Sequence, residues 1–238
     1  MSETFSIEFV GPPAAGKTTL SAAVTTQLRA QGYACSEPTK AIGTHDRAVR
    51  IPKKLRLLAE RLIRTPKTCL RDASAIYHTK QRQHRDTVRV LFNWLYVCGL
   101  SRHKTDEIAV FDQGLFQALW SIGFRSELPW ADSIRSVHLP EPISPDFVVL
   151  VRADADTLKR RLGASHDSET RVTDRDDIQR GIDGIDHIET LLAEQTDSMA
   201  GPGYITVDNS GATDIDSVAN TVRDELITVL EKSGVNPD

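Results

Sequence analysis

A short run near the start of the chain has the residue types and spacing needed to hold a phosphate group. The run GPPAAGKTTL begins at Gly11 and matches the pattern G-x-x-x-x-G-K-[S/T] at every required position. Such a loop curls so that successive backbone N–H groups point inward at one anionic group. The glycines permit the curl, Lys17 reaches the terminal phosphates of a nucleotide, and the Thr18 hydroxyl is suited to Mg²⁺.

The sequence on either side of this loop matches the pattern as well. Phe5–Val10 is an apolar, β-rich run that predicts a buried parallel strand, and helical spacing follows from Lys17 to Gln31. Because proline has no N–H, we expect the phosphate donors to come from residues 14 to 18. A glycine-bearing turn before a helix is the alternative. The predicted nucleotide-binding residues are Gly11, Pro12, Pro13, Ala14, Ala15, Gly16, Lys17, Thr18 and Thr19.

An aspartate ends a second apolar run, EIAVFD at 107–112. In a doubly wound parallel sheet, functional groups gather at the carboxyl ends of the strands, so Asp112 is expected beside the loop. There it can place Mg²⁺ together with Thr18, or orient an acceptor hydroxyl. The alternative is a helix N-cap for the segment that starts near Leu115.

A glutamate follows the second predicted strand in chain order, YACS at 33–36, which precedes EIAVFD. Glu37 can act as a base for an acceptor or hold the acceptor in place. Its alternative is an exposed turn residue before Pro38.

Strands alternate with helical patterns along the whole chain. Further strands are predicted at 146–151 and 204–207, and helices at 155–162, 176–200 and 214–232. A helical pattern at 73–100 fits one long helix or a kinked pair. The sequence therefore predicts one α/β domain over residues 1–238, with three layers and a five-stranded parallel sheet covered by helices on both faces.

A basic block lies between the second and third strands. Residues 44–104 contain 15 Lys and Arg against 4 Asp and Glu, so this block carries about +11 although the chain as a whole carries −4. A helical region of this charge predicts a small anionic acceptor. Solvated faces of amphipathic helices are the alternative for any one of these side chains, and the charge alone also permits nucleic-acid binding.

Composition excludes several classes of protein. No apolar run approaches the roughly 20 residues that span a bilayer, and the three cysteines form no C-x-x-C pair. The apolar run Val90–Leu100 is short for a span and suits a homodimer face. We expect a cytoplasmic protein. Complete GTP-selecting motifs are missing, since Asp112-Gln113-Gly114 is one residue short of D-x-x-G, and this favours ATP.

Three segments together resemble the thymidylate kinase and deoxynucleoside kinase branch of the P-loop kinases. They are SEPT at 36–39, EIAVFDQG at 107–114 and DFVVLVRADADTLKRRL at 146–162. The resemblance implies a P-loop NTPase fold with a helical acceptor region at 44–104. It also implies transfer of the γ-phosphate of ATP, with Mg²⁺, to a nucleoside or nucleoside monophosphate. The chain departs from that branch at Gln113, where those kinases have arginine.

The resemblance also implies a short lid over residues 160–176. Arg160, Arg161, Arg171 and Arg175 would close over the moving phosphoryl group and stabilise its charge. A solvated helix end is the alternative. The run 207–214 resembles the loop that lies near the adenine in those kinases, or else it is a plain connection with an N-cap at Thr213 or Asp214.

Two other functions remain open at this point. A regulatory or nucleic-acid-associated P-loop ATPase would use the basic block to grip a polyanion. A kinase for a non-nucleotide small molecule would share the phosphate loop and differ only in its acceptor region.

Overall fold

The computed structural model of the chain describes residues 4–43, 47–101, 108–137, 144–164, 175–197, 202–211 and 214–237. Its contacts divide the chain into two compact units. The sheet unit comprises Met1–Glu37, Thr105–Asp112 and Pro145–Asp238, and the helical unit comprises Pro38–Lys104 and Gln113–Ser144. That the chain acts as a single domain stays a prediction.

The sheet unit contains five strands and four helices among its described residues. The strands are β1 (Phe5–Val10), β2 (Cys35–Ser36), β3 (Ile108–Phe111), β4 (Phe147–Arg152) and β5 (Gly203–Asp208). The helices of this unit are α1 (Lys17–Ala30), α8 (Ala155–Ala164), α9 (Arg175–Asp197) and α10 (Ile215–Lys232). The helical unit contributes α2 (Pro38–Gly43), α3 (Arg47–Arg64), α4 (Pro66–His78), α5 (His84–Leu100), α6 (Leu115–Arg125) and α7 (Trp130–Arg135).

The five strands form one all-parallel sheet in the order β2-β3-β1-β4-β5. Every residue of the central strand β1 is buried, as expected for a parallel strand covered on both faces. This confirms the predicted α/β class. The carboxyl ends of β1, β3 and β4 lie side by side at one edge of the sheet, because β1 pairs in register with both neighbours.

One face of the sheet packs on α1 and α10. Alternate residues of β1, Ile7 and Phe9, share a core with Leu20 of α1 and Leu226 of α10, and all four are fully buried. The core fixes where α1 begins relative to β1. It therefore holds the connecting loop at 11–16 between two immobile ends.

The second strand is shorter than predicted. We expected a strand over 33–36, and β2 covers only Cys35–Ser36. It is an edge strand that pairs with β3 alone. The pairing reaches one residue further back through a single bond, donated by the Ile108 N–H to the Ala34 carbonyl.

The helical pattern at 73–100 forms two helices, α4 and α5, separated by residues 79–83. Lys80 has a positive φ of 49°. The connecting backbone pairs with the end of α6: the Arg82 N–H donates to the Arg125 carbonyl, and the Glu127 N–H donates to the Lys80 carbonyl. These distant bonds replace the helical ones that a continuous helix would make. Helices α2 and α7 had no predicted bounds, and α6 begins at Leu115, near where a helical segment was expected to start.

The helical unit contains a buried ion pair. The Arg61 Nη2 of α3 donates to the Asp72 carboxylate of α4 at 2.9 Å, and the Trp94 Nε1 of α5 donates to the same oxygen at 3.0 Å. All three residues are at most 3% exposed. One carboxylate therefore joins three helices.

The run Val90–Leu100 is mostly buried inside the helical unit. Val90 and every residue from Trp94 to Leu100 are buried. Most of the predicted homodimer face is therefore buried within the chain, and homodimer formation stays a prediction. No helix among the described residues is long and apolar enough to cross a membrane. The three cysteines are free thiols.

We expect Asp72→Ala to destabilise the protein by about 3–5 kcal/mol, because removing one partner leaves the buried Arg61 charge uncompensated. The matched control is Asp224→Ala on α10, whose carboxylate is 67% exposed beside Arg223, and which should change stability by about 0.5 kcal/mol or less. Chemical denaturation of the variants measures both. Adding Arg61→Leu to Asp72→Ala should restore part of the loss, and equal midpoints for the two single variants would contradict the ion pair's role.

Candidate functional site

The loop between β1 and α1 curls through backbone conformations that glycine favours. Gly16 has φ 91° and ψ 13°, and Ala14 has φ 64°. The Ala15 N–H donates to the Pro12 carbonyl at 3.2 Å, which closes a tight turn. Helix α1 then starts at once, with the Leu20 N–H donating to the Gly16 carbonyl at 2.9 Å. The first N–H groups of α1 have no carbonyl one turn earlier in the helix, so they form the donor surface that an anion requires.

The ammonium of Lys17 lies against this loop. Its Nζ donates to the Gly11 carbonyl at 2.8 Å and to the Pro12 carbonyl at 2.9 Å. Burial lowers the pKa of Lys17 from 10.5 to about 8, and the nearby Asp112 carboxylate only partly opposes this shift. The lysine is thus a poorly solvated cation, and an anion placed in the loop would raise its pKa.

Thr18 and Asp112 lie in contact with each other. The Thr18 Oγ1 donates to the Asp112 Oδ2 at 3.4 Å, across the junction of α1 with the end of β3. Asp112 does not cap the following helix, because the N-cap of α6 is Gly114.

A hydroxyl and a carboxylate are oxygen donors that fit Mg²⁺. Among the described residues no group of three or more His, Cys, Asp or Glu could hold a metal ion. The residues here that could hold a Mg²⁺ ion are thus Thr18 and Asp112.

The structure brings one of the four predicted lid arginines to the phosphate loop. The Arg161 Nη1 of α8 donates to the Ala14 carbonyl at 3.4 Å. Arg160 instead donates to the Gly211 carbonyl at 3.2 Å, in the segment after β5. Arg175 is the first residue of α9, and Arg171 lies outside the described residues.

Glu37 follows β2 as predicted, and it is not an exposed turn residue. Its carboxylate side chain is 16% exposed and lies 3.8 Å from the Arg29 guanidinium at the end of α1. Its role toward an acceptor stays a prediction.

Asn209 is a site residue that the sequence did not single out. It is buried, and its Nδ2 donates to the Ala15 carbonyl at 2.8 Å. The run 207–214 was expected to lie near an adenine or to cap a helix. Asp214 does cap α10, by accepting a bond from the Asp216 N–H. The sequence signal that could have identified Asn209 is its position directly after β5, at the same edge of the sheet as the loop.

A cavity of about 300 Å³ lies in the sheet unit beside Pro12. It has an apolar wall from Ala153, Ile182 and Ile185, and Asp154 and Asp208 also line it. The volume is at the lower end of ligand sites and suits a single base or sugar. The pKa of Asp154 is held below its usual value because the Thr157 N–H and hydroxyl both donate to its carboxylate.

The helical unit carries a smaller open cavity of about 230 Å³ on α3, lined by Lys53, Arg56, Leu57 and Glu60. Two of its four lining residues are cationic. The predicted basic character of the 44–104 region is therefore present on the surface of this unit.

The fold of this chain is similar to that of solved kinase structures. No family model and no curated protein sequence matches the chain. Three solved structures of deoxyadenosine kinase from M. mycoides are similar to it at 14% identity, and each covers 94% of this chain. The forms with bound dCTP and with bound dATP have TM-scores of 0.52 and are covered over 100% and 99% of their length.

The third form, with the products dCMP and a flexible dCDP, has a TM-score of 0.54 and is covered over 100% of its length. At this identity the likeness shows the fold. The chain therefore has a P-loop kinase fold of the deoxynucleoside kinase type, as the sequence resemblance predicted.

We expect Gly16→Ala to weaken ATP binding by about tenfold or more, since it displaces donors to a charged ligand. A Cβ at this position would lie 2.4 Å from the Asn209 Nδ2, and its φ of 91° strains any other residue. Gly234→Ala is the matched control, because Gly234 also has a positive φ, of 74°, follows α10, and an added Cβ would meet no neighbouring atom within 4 Å. Titration calorimetry with ATP measures the affinities, and equal Kd values for the two variants would contradict the geometry.

The affinity for ATP should fall as pH rises through 8. The ammonium form of Lys17 binds phosphate, and its pKa of about 8 means that this form is lost above that pH. Between pH 7 and pH 9 the loss should approach about tenfold. Lys17→Arg stays charged over this range, so its Kd should be nearly flat with pH whatever its absolute value. A wild-type Kd as flat as that of the arginine variant would disprove the assignment.

Proposed function

We propose that this chain is an ATP-dependent phosphotransferase that moves the γ-phosphate of ATP to a small acceptor, most specifically a nucleoside or a nucleoside monophosphate. The observation that carries the proposal is the meeting of Lys17, Thr18 and Asp112 at the curled loop. A cation and an oxygen-donor pair side by side support this proposal, because the terminal phosphates of a nucleotide need both. Such an enzyme would act in the cytoplasm, where ATP is abundant.

Each residue of the loop has a defined task in this proposal. The backbone N–H groups at the start of α1 hold the β-phosphate, and Lys17 stabilises negative charge on the transferring phosphoryl group. Thr18 and Asp112 would hold Mg²⁺. A bound Mg²⁺ ion neutralises charge on the β- and γ-phosphates and orients them.

The acceptor hydroxyl requires a group that orients or deprotonates it. Asp112 and Glu37 are the two candidates, since each follows a strand at the functional edge of the sheet. Arg161 already contacts the loop and is suited to stabilise the phosphoryl group in transfer. We assign Arg160, Arg171 and Arg175 to a lid that closes over the site.

Two observations support the proposed acceptor. The similar structures hold deoxynucleotides, and they align with this chain over nearly the whole of both chains, helical insertion included. The 44–104 region carries about +11, which favours an acceptor with a phosphate or carboxylate group. The cavity beside Pro12 has room for the base or the sugar of one of the two substrates.

The test is an acceptor screen with a direct product readout. Purified protein is incubated with ATP and Mg²⁺ against nucleosides, nucleoside monophosphates and phosphorylated metabolites. Mass spectrometry identifies a phosphorylated acceptor, and a coupled assay measures ADP. We expect at least one acceptor to gain one phosphate per ADP formed. ADP and free phosphate with no phosphorylated acceptor, above all when DNA or RNA stimulates their release, would instead indicate an ATPase.

Variants assign the site once an acceptor is found. Lys17→Ala and Asp112→Asn should each lower kcat by about 100-fold or more, because each removes charge stabilisation from the transferring group. Asp224 lies on the exposed face of α10, and Asp224→Asn makes the same chemical change as Asp112→Asn. It should leave kcat unchanged. Loss of activity in all three variants alike would show that the assignment is wrong.

A further inference from the structure

The segment after β5 is in contact with the phosphate loop through a buried amide. Asn209 is 2% exposed, and its Nδ2 donates to the Ala15 carbonyl at 2.8 Å. A Cβ on Gly16 would lie 2.4 Å from the same nitrogen, so the amide rests directly on the Ala15–Gly16 peptide. This contact joins residues 194 positions apart in the sequence.

The position of the Asn209 backbone is fixed independently of the loop. Its N–H donates to the Arg152 carbonyl at 2.8 Å, which continues the pairing of β4 with β5 by one residue. The sheet therefore holds the Cα of Asn209, and the side chain reaches the loop from a rigid base.

The hydrogen bond from Asn209 to the Ala15 carbonyl sets the direction of the next backbone N–H, which is a donor to a bound phosphate. In a planar trans peptide the C=O and the following N–H point in opposite directions. Because Asn209 holds the Ala15 carbonyl, the Gly16 N–H is held pointing away from Asn209. We infer that Asn209 is a positioning residue, whose amide fixes the Ala15–Gly16 peptide so that the phosphate loop is ready to receive the β-phosphate of a nucleotide.

The same segment also contacts helix α8, which carries Arg160 and Arg161. The Gly211 N–H donates to the Thr157 Oγ1 of α8, and Arg160 of α8 donates back to the Gly211 carbonyl. The Ser210 Oγ accepts a bond from the Asp154 N–H at the start of that helix. Residues 208–211 thus form a bridge from the phosphate loop to α8, and Asn209 is its contact with the loop.

This inference rests on the nucleotide-binding part of the proposed function and needs no acceptor. Binding of ATP and of inorganic tripolyphosphate is measured by calorimetry for Asn209→Ala and Asn209→Asp. Loss of the buried hydrogen bond in Asn209→Ala should weaken the binding of both ligands by about tenfold. The loss should be equal for the two ligands, because the amide acts on the phosphate cradle and not on the base. Asn220→Asp is the control: Asn220 is exposed on α10, and this variant should bind like wild type.

The aspartate variant provides a readout that loss of stability cannot imitate. Its ionised carboxylate has no hydrogen to donate and repels the Ala15 carbonyl, whereas a protonated carboxyl group can donate. The affinity deficit of Asn209→Asp relative to wild type should therefore shrink as pH falls from 8 to 5. Asn209→Ala should show a deficit that does not change with pH.

Unfolding midpoints separate positioning from a merely structural role. If the alanine and aspartate variants are less stable but bind tripolyphosphate within twofold of wild type, the inference is wrong. A deficit for ATP without one for tripolyphosphate would also overturn it, since the effect would then lie at the base. If wild-type protein binds ATP but phosphorylates no acceptor, the proposed transfer fails while the role of Asn209 can still be measured.

Discussion

The structure depends on the loop at 11–16, whose backbone adopts conformations that cost free energy. The loop at 11–16 places Ala14 and Gly16 at positive φ and draws the ammonium of Lys17 against two carbonyls. Neither feature is stable alone, because a left-handed alanine and a poorly solvated cation both cost free energy. The surroundings must impose them. The strand before the loop and the helix after it share one core, and Asn209 and Arg161 hold two of the loop carbonyls from outside.

Strain held by the surroundings suits a site that binds a highly charged ligand. Donors that are already oriented need little rearrangement when the phosphate arrives, so less of the binding energy is lost to ordering the loop. The surroundings of the loop also lower the pKa of Lys17, because they bury its ammonium group. A cation with little water around it gains more from a phosphate than a hydrated one would.

The sequence predicted those parts of the fold whose signal is local. Three features can each be recognised from a run of about ten residues: the continuous apolar strands, the acidic residue at the end of β3 and the glycines of the loop. Strand β1 matches its predicted bounds. Features that depend on residues far apart in the sequence could not be predicted. The break between α4 and α5 is set by bonds to the end of α6, and the buried pairing of Arg61 with Asp72 looks in sequence like two solvated charges. Asn209 belongs to the same group, because its partner lies at the other end of the chain.

The chain leaves the sheet for the helical unit after Glu37, and again after Asp112. The last residue of the sheet unit before each excursion is thus a carboxylate, and residues Pro38–Lys104 are an insertion in the sequence of the sheet unit. Changes of length or sequence inside that insertion would therefore leave the order and pairing of the five strands unchanged.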